Sequence, residues 1–249
     1  MPNFVPFKNY SLRMIDQLVE AHGLKGPFLD AGCGRGDVAL HMAQHHGWTG
    51  MAVDFSEAAL GTARHALEGQ PVQVQAADLL TLEGSFRTVV MCTVIEHIKD
   101  DRAVLRHLRT CIRGDAGNSG HLIISMPSNP ATEWRWDDDF YGHYRRYTRD
   151  DVDKLLRDTG FEMIEFWDYT YPVFWAMRRA YTALLPARQP QAEEPETNSA
   201  SSAMQTAWNF SALTRLITAL PVWPWVFRWQ ERYKAGPAGF EAIALARAV

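Results

Sequence analysis

The chain has 249 residues, 47% of them apolar, and a formal net charge of -4, which suits one enzyme-sized core and gives no basic footprint for nucleic acid. Cys33, Cys92 and Cys111 form no CxxC pair and no even disulfide framework, and the opening MPNFVPFKNY lacks the apolar stretch of a secretory signal. These features point to a cytoplasmic protein with small-molecule or protein partners.

Short apolar runs alternate with helical periodicity along the chain, the pattern of βαβ units on a parallel sheet. Residues 1–25 read as an N-terminal helical segment and 26–169 as an α/β core. In that core PFLDAG ends a first strand, and Asp37 is expected to cap a helix through HMAQHH. MAVDF is a second strand, followed by a helix EAALGTARHALE capped by Ser56 and stopped at Gly69. VQVQAAD and FRTVVMCTV are strands three and four, and Val104, Leu105, Leu108 and Ile112 mark the apolar stripe of the next helix. HLIISMP is strand five. A connection at 127–147 leads to a helix DVDKLLRDT, opened by Thr148 and Asp151 as a capping box and stopped by Gly160. FEMIEFWDY is strand six, and residues 239–249, GFEAIALARAV, form the last strand. Between them, residues 170–238 read as a helical insertion with a proline-, glutamate- and serine-rich flexible linker at 186–206. Its aromatic stretch 208–232 either packs on the core or makes peripheral contact with a membrane, since Arg215, Pro221, Pro224 and Arg228 interrupt any span.

Ligands of an open α/β sheet bind outside the carboxyl ends of the strands, and the chemically informative residues fall there. Asp30, Gly32, Gly34 and Gly36 end the first strand, Asp54 the second, Asp78 the third, and Cys92 to His97 the fourth. The turn DAGCGRG lets backbone approach a ligand closely. A dinucleotide fingerprint G-x-G-x-x-G would need glycine where this chain has Asp37, whose charge repels a pyrophosphate. The pattern suits a ligand without phosphates and with a positive centre, while Asp54 can accept both hydroxyls of a ribose. S-adenosylmethionine meets both demands.

Taken in order, DAGCGRG, AVDFS, AADLL, TVIEHI and HLIISMP resemble the successive motifs of class I S-adenosylmethionine-dependent methyltransferases. The resemblance implies a Rossmann-like fold with a seven-stranded, mostly parallel sheet, its last strand antiparallel between strands five and six. It implies that Asp30 and the turn glycines Gly32 and Gly34 hold the methionyl end, Asp54 and Phe55 the ribose side, and Asp78 with Leu79 the adenine edge, over a floor from Cys92 to Val94. GHYRRYT before a helix and GFE is similar to the lid segment of methyltransferases that modify quinones, polyketides and other small hydrophobic molecules. The expected reaction is methyl transfer to a small hydrophobic or amphipathic acceptor, on a hydroxyl oxygen in the first reading. Nitrogen methylation and a non-catalytic cofactor-binding partner are the alternatives.

In the lid, FYGHYRRYT follows Asp137, Asp138 and Asp139. His143 has the pKa class of a base near neutrality and is the first candidate to take a hydroxyl proton, ahead of Tyr147 and Tyr144. His97, after strand four, is the second. The bland readings are a structural hydrogen bond for His143 and space-filling for His97. Arg145 and Arg146 are expected to pin the lid to the three aspartates, which otherwise read as a solvated run. No metal ligand set is assigned.

Overall fold

A computed structural model describes residues 5–114, 119–185 and 220–249. Its sheet has the order β3-β2-β1-β4-β5-β7-β6. The strands are β1 Phe28–Ala31, β2 Gly50–Asp54, β3 Val72–Ala76, β4 Thr88–Cys92, β5 His121–Pro127, β6 Phe161–Asp168 and β7 Glu241–Ala248. Neighbours from β3 through β5 pair in parallel, whereas β7 runs antiparallel to both β5 and β6. The expected seven-stranded class I methyltransferase fold is therefore the observed one, and the antiparallel β7 begins where its neighbours end.

Strand alternation sorts the core into two layers. Leu29, Val89, Met91, Leu122 and Ile124 face helices α4 (Asp101–Cys111) and α7 (Arg149–Asp158) through Leu105, Leu108, Leu155 and Leu156. On β7 this side carries only alanine, at 242, 244, 246 and 248, which lets the layers approach closely. The opposite side presents Phe28, Val90, Ile123 and Leu245 to α1 (Pro6–His22), α2 (Asp37–His46) and α3 (Glu57–Ala66). Helix α1 buries Tyr10, Met14, Ile15, Leu18 and Val19, a stripe at helical spacing, and ends at the left-handed Gly23.

Two expected caps form: Ser56 accepts from the amide of Ala59, and Thr148 and Asp151 make the reciprocal capping box of α7. Asp37 corrects the third. Gly36 (φ 81) caps α2, so Asp37 is already inside the helix, and its carboxylate pairs with Lys8 of α1. A left-handed glycine in that turn brings the chain into the helix one residue earlier than the acidic side chain suggests.

In the insertion, Val173–Leu184 forms α8 and Trp223–Gln230 forms α9. The expected linker at 186–206, and the aromatic stretch as far as residue 219, lie outside the described residues. Helix α9 is divided lengthwise. Trp223 and Phe227 are buried against Phe174 and Tyr10, while Trp225 is 70% exposed and Trp229 44% exposed. Gln230 fixes α9 to the start of α8: its Oε1 accepts from the amides of Val173 (3.0 Å) and Phe174 (3.3 Å), and its Nε2 donates to the Tyr169 carbonyl (3.1 Å). One buried side chain thus answers the unpaired amides of a helix start. No helix of the described residues is long and apolar enough to cross a membrane.

Candidate active site

The turn after β1 is built from backbone that a side chain would obstruct. Gly32, Gly34 and Gly36 all have positive φ, and a Cβ on Gly32 would stand 2.5 Å from a methyl of Val94. The turn is tied to β2 by the amides of Gly32 and Cys33, which donate to the Val53 carbonyl at 2.9 and 2.8 Å. Asp54 spans the same junction, its Oδ2 accepting from the Gly34 amide (2.8 Å) and its Oδ1 from the Ser56 amide (2.9 Å). Asp30 accepts from the Ala39 amide at 3.0 Å in the first turn of α2, where the helix dipole favours an anion. Burial pushes the Asp30 carboxyl up to about 7, reinforced by Asp54 and Asp37 and opposed by the Ala39 amide. At the end of β4, Thr93 has φ 51, a conformation costly for a β-branched residue.

These strand ends open into a cavity of about 160 Å³. Asp30, Gly32 and Cys33 line it from β1 and its turn, Cys92, Thr93 and Ser125 from β4 and β5, and Phe7, Ser11, Leu12 and Ile15 of α1 close it. Tyr169, Glu241 and Ile243 complete the far wall. There a hydrogen-bonded chain runs from Ser11 Oγ to Tyr169 Oη (3.0 Å), whose hydroxyl donates to Glu241 Oε1 (2.7 Å). Glu241 is 4% exposed, and burial raises its carboxyl to about 7 against the Tyr169 bond and the charges of Arg146 and Arg178.

Sequence reasoning missed Ser11, Tyr169 and Glu241. The available signal was one acid opening a final strand whose next five residues are all apolar. Because β7 is antiparallel, its first residue lies at the carboxyl edge of the sheet, and Glu241 pairs with Pro127 at the end of β5.

Of the expected cofactor residues, Asp30, Gly32 and Cys92 line the cavity, Gly34 and Asp54 brace its turn, and Val94 packs on Gly32. Burial drives the Cys33 and Cys92 thiols well above the usual range, which fits inert wall residues. Phe55 is 55% exposed beside Asp54, and Leu79 packs against the core edge. Asp78 is exposed and uses Oδ1 to accept from the Leu80 amide (2.9 Å). These last three residues do not line the cavity.

The lid contains helices α5 (Pro130–Glu133) and α6 (Trp136–Tyr141). Two of its three aspartates are not solvated: Asp137 and Asp138 are buried, the latter completely, and Asp139 is exposed. Arg178 of α8 grips Asp137 through two bonds of 2.8 and 2.6 Å and reaches Asp138 at 2.9 Å, while Arg146 meets Asp138 at 2.8 Å. Burial alone would raise the Asp138 carboxyl, but His143, Arg146 and Arg178 together hold it well below the ordinary range. Arg146 pins the lid as expected. Arg145 instead reaches Asp101 at the start of α4, at 2.6 Å.

Tyr147 also departs from expectation as a proton acceptor. It is buried, its hydroxyl donates to Asp101 (3.1 Å), and burial beside that carboxylate raises its pKa further. His143 and His97 come together with ring centroids 4.9 Å apart, but neither lines the cavity. His143 Nδ1 is 2.8 Å from Asp138 Oδ1. His97 follows Glu96 in a short turn, Ile95–His97, after β4, and burial with His143 nearby lowers it to about 4. Glu96 is 1% exposed, and burial raises its carboxyl strongly.

Residues 8–165 match a family of methyltransferase domains. Among solved structures, the fold is similar to the [4+2]-cyclase SpnF, with 19% identity, 95% of this chain and 80% of that one covered, and a TM-score of 0.59. It is also similar to a putative sarcosine dimethylglycine methyltransferase from Galdieria sulphuraria, with 11% identity, coverage of 95% and 84%, and a TM-score of 0.61. Magnesium protoporphyrin IX methyltransferase (ChlM) from Synechocystis PCC 6803 with bound SAH shares 24% identity over 65% of this chain and 78% of that one, with a TM-score of 0.50. The family match covers more than half of the chain and spans the glycine turn, Asp54 and the β4 edge, so the chain belongs to the methyltransferase-domain family, as an S-adenosylmethionine-dependent methyltransferase.

Proposed function

We propose that the enzyme methylates a hydroxyl oxygen of a small hydrophobic or amphipathic molecule, and that Glu241 takes the hydroxyl proton. The observation that carries this reading is the presence of Glu241 in the same cavity as Asp30 and the glycine turn. The carboxylates and the glycine cradle suit the cofactor: Asp30 faces the cationic methionyl end, Asp54 the ribose, and a Cβ at Gly32 would close the approach. When bound, S-adenosylmethionine supplies a methyl group on a positively charged sulfur.

The chain's own residues then have two tasks. Phe7, Leu12, Ile15 and Ile243 exclude water and seat an apolar acceptor body, which favours near-attack geometry. Tyr169 holds one oxygen of Glu241 and leaves the other for the acceptor hydroxyl. As the oxygen gains its methyl, its proton passes to Glu241, whose carboxyl near 7 is matched to that transfer. His143, the base expected from sequence, is held in the lid by Asp138, and Glu241 replaces it in this role.

The acceptor is found by incubating the purified protein and S-adenosylmethionine with cell extract and following a gain of one methyl group by mass. With that acceptor, Glu241→Gln should lower kcat by about 10²-fold or more while leaving cofactor affinity close to wild type. Full turnover in this variant would remove Glu241 from the chemistry and favour an acceptor whose lone pair attacks without prior loss of a proton, such as a neutral amine.

The outer edge of α9 supports a reading of where the acceptor comes from. Trp225 and Trp229 are exposed, and Arg228 stacks on Trp225 with 4.6 Å to the ring centre, an apolar and cationic edge suited to an anionic membrane surface. Free thiols at Cys33, Cys92 and Cys111 fit a cytoplasmic enzyme working beside it. Co-sedimentation with anionic vesicles that weakens in high salt is the expected result, and indifference to vesicles would reject it.

A further inference from the structure

We propose that Glu96, His97 and His143 form a site for a divalent first-row metal ion that joins the end of β4 to the lid. The first ground is geometry: one ligand atom from each of the three lies within 4.8 Å of the others. Metal–ligand bonds of about 2.0–2.2 Å place donors roughly 3–4 Å apart, so closure needs side-chain movement of about 1 Å.

The second ground is unanswered polarity. Glu96 is 1% exposed, yet neither carboxyl oxygen has a hydrogen-bond partner, and the buried Nδ1 of His97 has none either. Leaving three polar atoms unpaired in one buried place costs more than a fold retains without a return. A cation held by a Glu96 oxygen and a His97 ring nitrogen gives this buried carboxyl the partner it lacks. The nearest ion pair between them, His97 Nε2 to Glu96 Oε1 at 4.0 Å, is too long to serve as a hydrogen bond.

The third ground lies behind the histidine. Asp138 is held as a carboxylate by Arg146 and Arg178, so it can only accept, and His143 Nδ1 must carry the proton of their 2.8 Å bond. His143 Nε2 then has its lone pair free for a ligand. A carboxylate fixing the tautomer of a histidine is the usual arrangement behind a metal-bound imidazole. Two imidazoles and one carboxylate prefer Zn²⁺, Co²⁺, Mn²⁺ or Fe²⁺ to Mg²⁺ or Ca²⁺, and they leave coordination positions for water or an acceptor oxygen.

Untagged, chelator-treated protein titrated with Co²⁺ tests the site, because Co²⁺ absorbs visibly when held by nitrogen and oxygen ligands. The proposal expects saturable binding that is lost, or weakened by about 10-fold or more, in both Glu96→Gln and His143→Gln. Circular dichroism and cofactor titration check that each variant is folded. His41→Ala separates this site from the half-buried group Asp16, His41 and His46, and should leave the signal of the Glu96 site in place. Hydrogen exchange should slow across residues 136–144 when metal is added to wild type and not to Glu96→Gln. Absence of binding, or binding abolished by His41→Ala and untouched by Glu96→Gln, would overturn the proposal. The readout needs no acceptor, so its failure would leave the assignment of Glu241 standing.

Discussion

The turn after β1 and the lid between β5 and α7 are both built around buried carboxylates, and they differ in what answers the charge. In the lid, Asp137 and Asp138 meet Arg178, Arg146 and His143 at 2.6–2.9 Å. In the turn, Asp30 and Asp54 accept hydrogen bonds from backbone amides alone, at 2.8–3.0 Å. A carboxylate neutralised by fixed arginines has its partner already and acts as a fastener. A buried carboxylate held only by amides, as Asp30 is at the cavity wall, has no fixed cation of its own, and a cationic ligand favours its ionised form. Glu241, which accepts from the Tyr169 hydroxyl, and Glu96, which has no hydrogen-bond partner, likewise have no arginine bonded to them.

Removing a fastener should have the largest effect. Asp138→Ala leaves Arg146, Arg178 and His143 buried around a missing anion, and should cost about 3–5 kcal/mol of stability in denaturant unfolding. A loss below about 1 kcal/mol would show that the lid charges are solvated in solution. Phe227→Ala, which empties the contact of α9 with Tyr10 and Phe174, should cost a similar amount, about 3–5 kcal/mol.

The unanswered carboxylates should betray themselves through pH. Asp30 sits near 7 in the free protein, raised by burial and by Asp54 and Asp37, with Lys8 and Arg35 on the same cavity wall. A cationic ligand favours its ionised form, so the proton held below about 7 must leave on binding. Affinity for S-adenosylmethionine should therefore rise with pH, by roughly tenfold between about pH 6 and 8, and fall as Asp30 becomes protonated. Asp30→Asn should flatten that profile in calorimetric titrations. A slope that survives the substitution would assign the proton to another group.

Much of the turn was legible in the sequence because its requirements are local. Three glycines two residues apart, an acid at the end of each of the first two strands and a misplaced third glycine state the chemistry within one βαβα unit. The lid's contacts were not, because Arg178 arrives from an insertion 40 residues after Asp138 and Arg145 turns to α4 instead of to its neighbours. Glu241 escaped although the expected antiparallel last strand puts its first residue at the ligand edge; its bond to Tyr169 and its place in the cavity wall depend on long-range packing. Helix α9 shows the same limit. Its composition announced aromatic surface, but only packing against α1 and α8 decides that Trp223 and Phe227 turn inward and Trp225 outward.

That division predicts the smallest effect. Trp225→Ser should change stability by less than about 0.5 kcal/mol, in contrast to Phe227→Ala, while reducing sedimentation with anionic vesicles. Equal destabilisation by the two substitutions would mean that α9 packs on both faces.

The central claim, that the carboxylates held by amides at this edge take up S-adenosylmethionine, is tested most directly by titrating that cofactor into wild type and Asp54→Ala. The account predicts that affinity falls by about 1 to 3 kcal/mol, through loss of charge-assisted bonds to the ribose and of the brace on Gly34, in a variant that still unfolds cooperatively. Unchanged affinity in Asp54→Ala would contradict it.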